Sequence, residues 1–575
     1  MKEFFLFSIL VFSCSVVTSQ SINPPYLSNE TYTYSDLVDV YRNLERNSEI
    51  AKFKELGKSD IGKPIHLFII DKDQDFSADQ SKARKKSIVF INNGIHAGEA
   101  CGIDASVELS KNLLDQQHPI HKALDSVVIV IIPIYNVGGM LNRGAYSRAN
   151  QNGPKEHGFR GNAKNLDLNR DFIKCDSRNA KVFTQVFREW DPDFFIDTHT
   201  TNGSDHQYTL TLIATQKDKQ NPILSEYAQK SMLPSFYRDM KDREMEMIPY
   251  VYNIGSSPED GIMAFLEIPR YSSGYAALFD CFSFITEAHV FKTFENRVKH
   301  TIGFLETVVE YAASHTTEII NTRAKAKLRT VSQSTFPIKW QLDTTRVEKL
   351  PFNGYETGQK ESEVTGQKMK FYDTDKPYKK EINYYNSYQA EIEVKKPVFY
   401  VVPQAYERVI ERLMLNQVNM MELKSDTIIE VETYYILDYK SPKTPYEAHY
   451  LHSEIKVEKK LEKHQFYKGD VLIPTNQMSN RYLVETLEPE STDGFFAWNF
   501  FEGILQQKEW FSDYAFEPKA KKLLAEDSEL KKEFESKKRE DAEFAQNSWA
   551  QLYFIYQRSP YFEKTVNRYP ICRVN

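Results

Sequence analysis

Short, unbroken runs of apolar and β-branched residues alternate with longer amphipathic stretches between Tyr34 and Ser314. The runs lie at Pro64–Ile70, Ser87–Ile91, Ser126–Ile134, Phe194–Thr198, Leu210–Ala214 and Cys281–Thr286, each about the length of one strand. Between them helical spacing recurs at Ile103–Leu114, Arg178–Trp190, Pro222–Met240 and Phe291–Ala313. A run such as VVIVIIPI has no polar face, so a strand formed there is covered on both sides. The pattern predicts an α/β fold in which a mixed, mostly parallel sheet is sandwiched between helices. Functional groups of such sheets gather at the strand ends.

The character changes after Ser314. Thr316–Val394 is rich in Lys, Glu, Thr and Tyr with weak alternation, which predicts exposed β structure or irregular connections. PVFYVVP (Pro397–Pro403), a helical Tyr406–Leu415 and IIEVETYYILDY (Ile428–Tyr439) form a second ordered patch. Leu530–Tyr556 reads as helix, its Lys/Glu clusters as a solvated face. The chain therefore divides into a unit at 20–314 and a mixed β/α C-terminal region at 315–575, β-rich and then helical. The second part is expected to pack on the first and narrow access to its cleft, with the aromatic-rich Asn480–Gly503 as core.

At 575 residues and 41% hydrophobic the chain can bury a large core. Its net charge of −7 comes without a basic stripe, which excludes nucleic acid as a partner. Residues 1–19 read as an export signal: Lys2, an apolar Phe4–Val17, small residues, then cleavage after Ser19. This predicts an exported protein, periplasmic or extracellular. Phe12-Ser13-Cys14 offers lipid anchoring at Cys14 as an alternative that the bulky Phe12 disfavours. No later segment is long enough to span a membrane. Cys101, Cys175, Cys281 and Cys572 are scattered and form no C-x-x-C pair, so they read as small buried hydrophobes.

Chemistry concentrates in NNGIHAGEACGID (Asn92–Asp104), where His96 and Glu99 stand three residues apart between a strand and a helix. A zinc ion that hydrolyses a bond needs a few rigid N/O ligands and one open position. His96 and Glu99 supply two ligands, and Gly94, Gly98 and Gly102 allow a tight backbone around them. His199, in DTHT at the end of Phe194–Thr198, offers a third ligand for one Zn2+.

With Asn169-Arg170 in NLDLNRDF and Glu287 in FITEAH, these motifs resemble the zinc carboxypeptidases, the carboxypeptidase A-like metallopeptidases. The resemblance spans Tyr34 to Ser314, and the long C-terminal half resembles that of large secreted bacterial members. It implies a metallocarboxypeptidase that removes C-terminal residues from peptides carrying a free carboxylate. His96, Glu99 and His199 would hold the zinc, and Asp167 would accept the other ring N–H of His96. Glu287 would be the general base acting on a zinc-bound water, with Glu267 in FLEIP as its rival. Asn169 and Arg170 would bind the terminal carboxylate, for which the planar guanidinium fork is suited. Arg148, or in its place Arg143, would polarise the scissile carbonyl. Tyr271 would close over the C-terminal residue, with Tyr275 competing. Two other readings exist: a zinc amidase or peptidase acting on cell-wall peptides or acyl-amino acids, and an inactive peptide-binding homologue. The second is disfavoured because His96, Glu99, His199 and Glu287 are all present.

Overall fold

The computed structural model describes residues 23–575, so the stretch 1–19 read as an export signal, with Cys14, lies outside the described residues. Its largest sheet has eight strands in the order Ala51–Lys58, Pro64–Ile70, Val127–Ile132, Ser87–Asn93, Phe194–Thr201, Phe282–His289, Leu210–Ala214, Ile248–Pro249. The four central strands run parallel, and antiparallel pairings flank them on both sides. Helices such as Cys101–Leu114, Arg178–Trp190 and Phe294–Ser314 bury their apolar faces against it. Phe183, Phe187 and Trp190 anchor the second of these; each buried aromatic of this size contributes about 2–3 kcal/mol. This is the α/β sandwich that the apolar runs predict. The edge strand Ala51–Lys58 is hidden from periodicity because its outward positions are charged or polar, as edge strands tend to be.

The C-terminal region departs from expectation at its start. Thr316–Ser332 is a helix rather than β or irregular structure. Its inward stripe is Ile319, Arg323, Ala326 and Thr330, half of it polar, so apolar spacing does not reveal it. Arg323 is buried because its guanidinium meets Asp193 at 2.8 Å and Asp191 at 3.0 Å. The segment Leu530–Tyr556 is also not one helix. Asp541 and Asn547 each accept a backbone N–H and cap a new start, giving helices at Ser528–Glu540, Ala542–Gln546 and Ser548–Gln557.

A six-stranded sheet forms the middle of this region, in the order Met421–Glu422, Val471–Pro474, Phe399–Val402, Cys572–Val574, Thr427–Lys440, Ser453–Phe466. The apolar core is continuous from the large sheet to Tyr400, Tyr434, Leu483, Phe495, Phe496 and Trp498. The aromatic-rich stretch Asn480–Gly503 thus serves largely as core. Among the described residues no helix is long and apolar enough to cross a membrane, and the four cysteines are free and buried.

Asp176 ties the two parts together, meeting His449 at 2.6 Å, Lys174 at 3.2 Å, Arg412 at 3.3 Å and Arg408 at 3.4 Å. Burial alone would raise its pKa, but the His449 hydrogen bond and Lys174 outweigh it and hold the carboxyl below its ordinary 3.8. A lowered folded-state pKa adds stability that is present above the ordinary value and is lost as pH falls below it. Asp176→Asn is therefore expected to cost about 3 kcal/mol at pH 7, a deficit that narrows as pH drops below about 4. Urea unfolding at both pH values checks this, and equal stabilities at pH 7 would contradict it.

Candidate active site

The strand Ser87–Asn93 is buried throughout and turns at Gly94, whose φ of +67° favours glycine. A Cβ at Gly94 would also lie 2.4 Å from Ile134 Cδ1. The helix Cys101–Leu114 then packs so closely on the next strand that a Cβ at Gly102 would stand 1.9 Å from Thr198 Oγ1. These two close approaches carry the His96–Glu99 turn against the end of Phe194–Thr201, where His199 sits.

The ligand atoms of His96, Glu99 and His199 lie within 4.8 Å of one another, and all three residues are buried. His96 Nδ1 is 3.1 Å from Glu99 Oε1 and 3.2 Å from His199 Nδ1. His199 Nδ1 is 3.0 Å from Glu99 Oε2. Each imidazole turns its other nitrogen to a carboxylate: His96 Nε2 to Asp167 Oδ1 at 3.0 Å, His199 Nε2 to Asp197 Oδ2 at 2.7 Å. Such outer partners fix ring orientation and leave the Nδ1 lone pairs facing inward. Burial opposes charge on His199, but Asp197 and Glu99 outweigh it and hold its pKa well above the ordinary range. The spot thus favours positive charge. Two imidazole nitrogens and one carboxylate, with an open side toward a cavity, fit the donor preference of zinc.

Glu287 pairs in register with His199 on the neighbouring parallel strand, which sends both side chains to one face. Burial pushes its pKa up to about 8; His199 pulls it down, while Glu99 and Asp197 raise it further. The rival Glu267 is fully buried elsewhere, accepting from Gln216 N–H at 2.9 Å with Lys219 at 3.7 Å. It does not line the cavity.

That cavity, about 570 Å³, is lined by His96, Glu99, Arg148, Arg160, Asn169, Arg170, His199, Tyr271 and Glu287. The short helix Leu168–Arg170 is capped by Asp167, whose Oδ1 accepts the Asn169 N–H at 2.8 Å. Burial would raise the Asp167 pKa, but His96, Arg160 and Arg170 hold it far below the carboxylate range. Arg170 stacks 4.5 Å from the Tyr271 ring centroid. Tyr275, by contrast, is buried away from the cavity and donates to Asn416 Oδ1 at 2.6 Å.

The arginines divide clearly. Arg143 lies outside the cavity and donates to the backbone carbonyls of Thr31 and Tyr32. All three nitrogens of the Arg148 guanidinium are committed: Nε to Gln151 at 2.6 Å, the other two to Glu99 at 3.0 Å and Thr200 O at 3.3 Å. Arg160, which the sequence reading passed over, is gripped by Asp167 through two nitrogens and points its third toward His96 Nδ1 at 3.3 Å. Its only signal was an arginine seven residues before Asp167. Asp197, Tyr250 and Phe265 were also missed.

The sequence pattern of the zinc carboxypeptidase family matches residues 37–272. "Carboxypeptidase 2" of Trichophyton rubrum is 20% identical over 477 residues, covering 79% of this chain and 81% of that protein. "Carboxypeptidase 2" of Trichophyton tonsurans is 22% identical over 444 residues, covering 73% and 76%. A metallo-carboxypeptidase structure from Burkholderia cenocepacia aligns over 49% of this chain and 70% of that one, with 16% identity and a TM-score of 0.37. The matched segment carries His96, Glu99, Asn169, Arg170 and His199, and by it residues 37–272 resemble the zinc carboxypeptidases.

Proposed function

We propose that this protein is a metallocarboxypeptidase that releases single residues from peptide C-termini, using one zinc ion held by His96, Glu99 and His199. The observation that carries the reading is one cavity holding three convergent donors, a carboxylate beside them and a guanidinium, Arg170, with one nitrogen still free among the described residues to bind an anion. When bound there, zinc supplies Lewis-acid polarisation of a carbonyl and makes water a stronger acid.

The remaining work falls to side chains of the chain itself. Arg170 and Asn169 bind the substrate's terminal carboxylate, since the Arg170 Nη2 has no hydrogen-bond partner among the described residues. The Glu287 carboxylate accepts a proton from the attacking water as its oxygen bonds to the scissile carbon. It then delivers that proton to the amine nitrogen as the C–N bond breaks. A carboxyl whose proton affinity is raised by burial suits both halves of that task. Arg148 and Arg160 both line the cavity beside Glu99, at 3.0 and 3.7 Å, and a guanidinium there faces the developing oxyanion.

Beyond Arg170 the wall is apolar and aromatic: Ile213, Tyr250, Phe265, Tyr271 and Ile285. Phe265 meets Tyr271 at 5.2 Å and Tyr250 at 6.2 Å between ring centroids. Substrates ending in Phe, Tyr or Leu should therefore be trimmed faster than those ending in Lys or Asp. Incubating metal-loaded and chelated protein with free and C-terminally amidated peptides tests the function. Loss of one terminal residue, only from free peptides and only with metal, is expected. Cleavage of amidated peptides at the same rate would overturn the reading.

A further inference from the structure

The fork that would receive the substrate is held from the far half of the chain. Arg170 Nε donates to the hydroxyl of Tyr446 at 2.9 Å, across 276 positions of sequence. The next residue, Glu447, accepts the backbone N–H of Asp167 at 2.7 Å, and His449 meets Asp176 at 2.6 Å. Three residues of one turn therefore reach the loop that carries Asp167, Asn169 and Arg170.

The turn is built for a fixed position. Tyr446 and His449 exchange backbone hydrogen bonds at 2.7 and 3.0 Å. Between them Glu447 and Ala448 both adopt left-handed backbone, with φ of +50° and +64°. Neither is glycine, so the turn is strained and persists only where its surroundings dictate it. Those surroundings are visible. The Tyr446 ring lies parallel to the fully buried Trp498, 6.2 Å between centroids. Arg270 stands against both rings, 5.7 Å from Tyr446 and 5.0 Å from Trp498. Asp493 fixes Arg270 through its backbone N–H at 2.9 Å and side-chain contacts at 2.8 and 2.7 Å.

We infer that Tyr446 is a positioning residue for substrate binding: it holds Arg170 by Nε so that the remaining guanidinium edge meets the terminal carboxylate. The inference rests on the proposed carboxypeptidase reading for its substrate, and it makes the C-terminal region a working part of the site. Tyr446→Phe keeps the ring on Trp498 and removes only the hydroxyl.

In the full-length chain Tyr446→Phe should raise KM for a peptide ending in Phe by about tenfold, the scale of one hydrogen bond to a charged group. kcat and melting temperature should stay unchanged. Tyr450→Phe, on the same hairpin, should behave as wild type. The effect should vanish in an Arg170→Ala background, because the hydroxyl acts through Arg170; a merely structural role would add to the Arg170→Ala loss. A second measurement needs no turnover: N-acetylphenylalanine, titrated into each protein by calorimetry, should bind the variant about tenfold more weakly. It also separates two failures, since absent peptide cleavage would sink the enzymatic reading while the titration still reads Tyr446. Unchanged KM and unchanged affinity, or full additivity with Arg170→Ala, would overturn the inference.

Discussion

Glu287→Gln is expected to lower kcat by about 10³–10⁴-fold while zinc content and KM stay near wild type. The amide keeps the shape of the carboxylate but cannot take a proton from water or give one to the amine. Glu287 stands beside His199 in strand register, so the variant removes proton transfer without removing a metal donor. Atomic absorption and steady-state kinetics on the same preparation check both halves. A variant that retained a tenth or more of wild-type kcat would remove Glu287 from the proposed role.

The same carboxyl predicts a pH effect in chelated protein. Its pKa rises from the ordinary 4.5 to about 8, through burial first and then through Glu99 and Asp197. Between those values the folded state keeps a proton that the unfolded state has released, so stability falls as pH rises through that window. The full contribution is present below about 4.5. Glu287→Gln cannot titrate, so urea unfolding of the chelated proteins at pH 5 and pH 8 should show the wild type losing more than the variant.

Arg170→Ala should lower kcat/KM by about 10²–10³-fold for peptides with a free C-terminus, mostly through KM. Two charge-assisted hydrogen bonds to a carboxylate are worth about 3–4 kcal/mol together, and 1.4 kcal/mol is about tenfold. Arg170→Lys should recover only part of the loss, because an ammonium lacks the planar fork. The relative rate on amidated peptides should rise in both variants. An Arg170→Ala protein that still preferred free over amidated peptides as strongly as wild type would place carboxylate recognition elsewhere.

Much of this site was legible because it sits where apolar runs end. Continuous runs marked the parallel strands, and the polar residues just past them, His96, Glu99 and His199, stood out against buried surroundings, while Glu287 came with the family resemblance. Choosing Glu287 over Glu267 was beyond local pattern, since both follow apolar residues. Strand register supports the choice: Glu287 pairs with His199, whereas Glu267 is matched with Lys219 in the interior. Arg160 escaped notice because it lies in a loop without periodicity. The helix Thr316–Ser332 was hidden because Arg323, buried by two aspartates, breaks its apolar stripe. Tyr446 had no local signal at all. Its role arises from folding the C-terminal region onto the site, a contact that spacing along the chain cannot report.

The central claim is tested most directly by zinc K-edge X-ray absorption on full-length protein loaded with one equivalent of zinc. Two imidazole nitrogens at about 2.0–2.1 Å with oxygen neighbours and no sulfur are expected, and the signal should be lost from His199→Ala after dialysis. A sulfur shell, or stoichiometric zinc retained by His199→Ala, would contradict it.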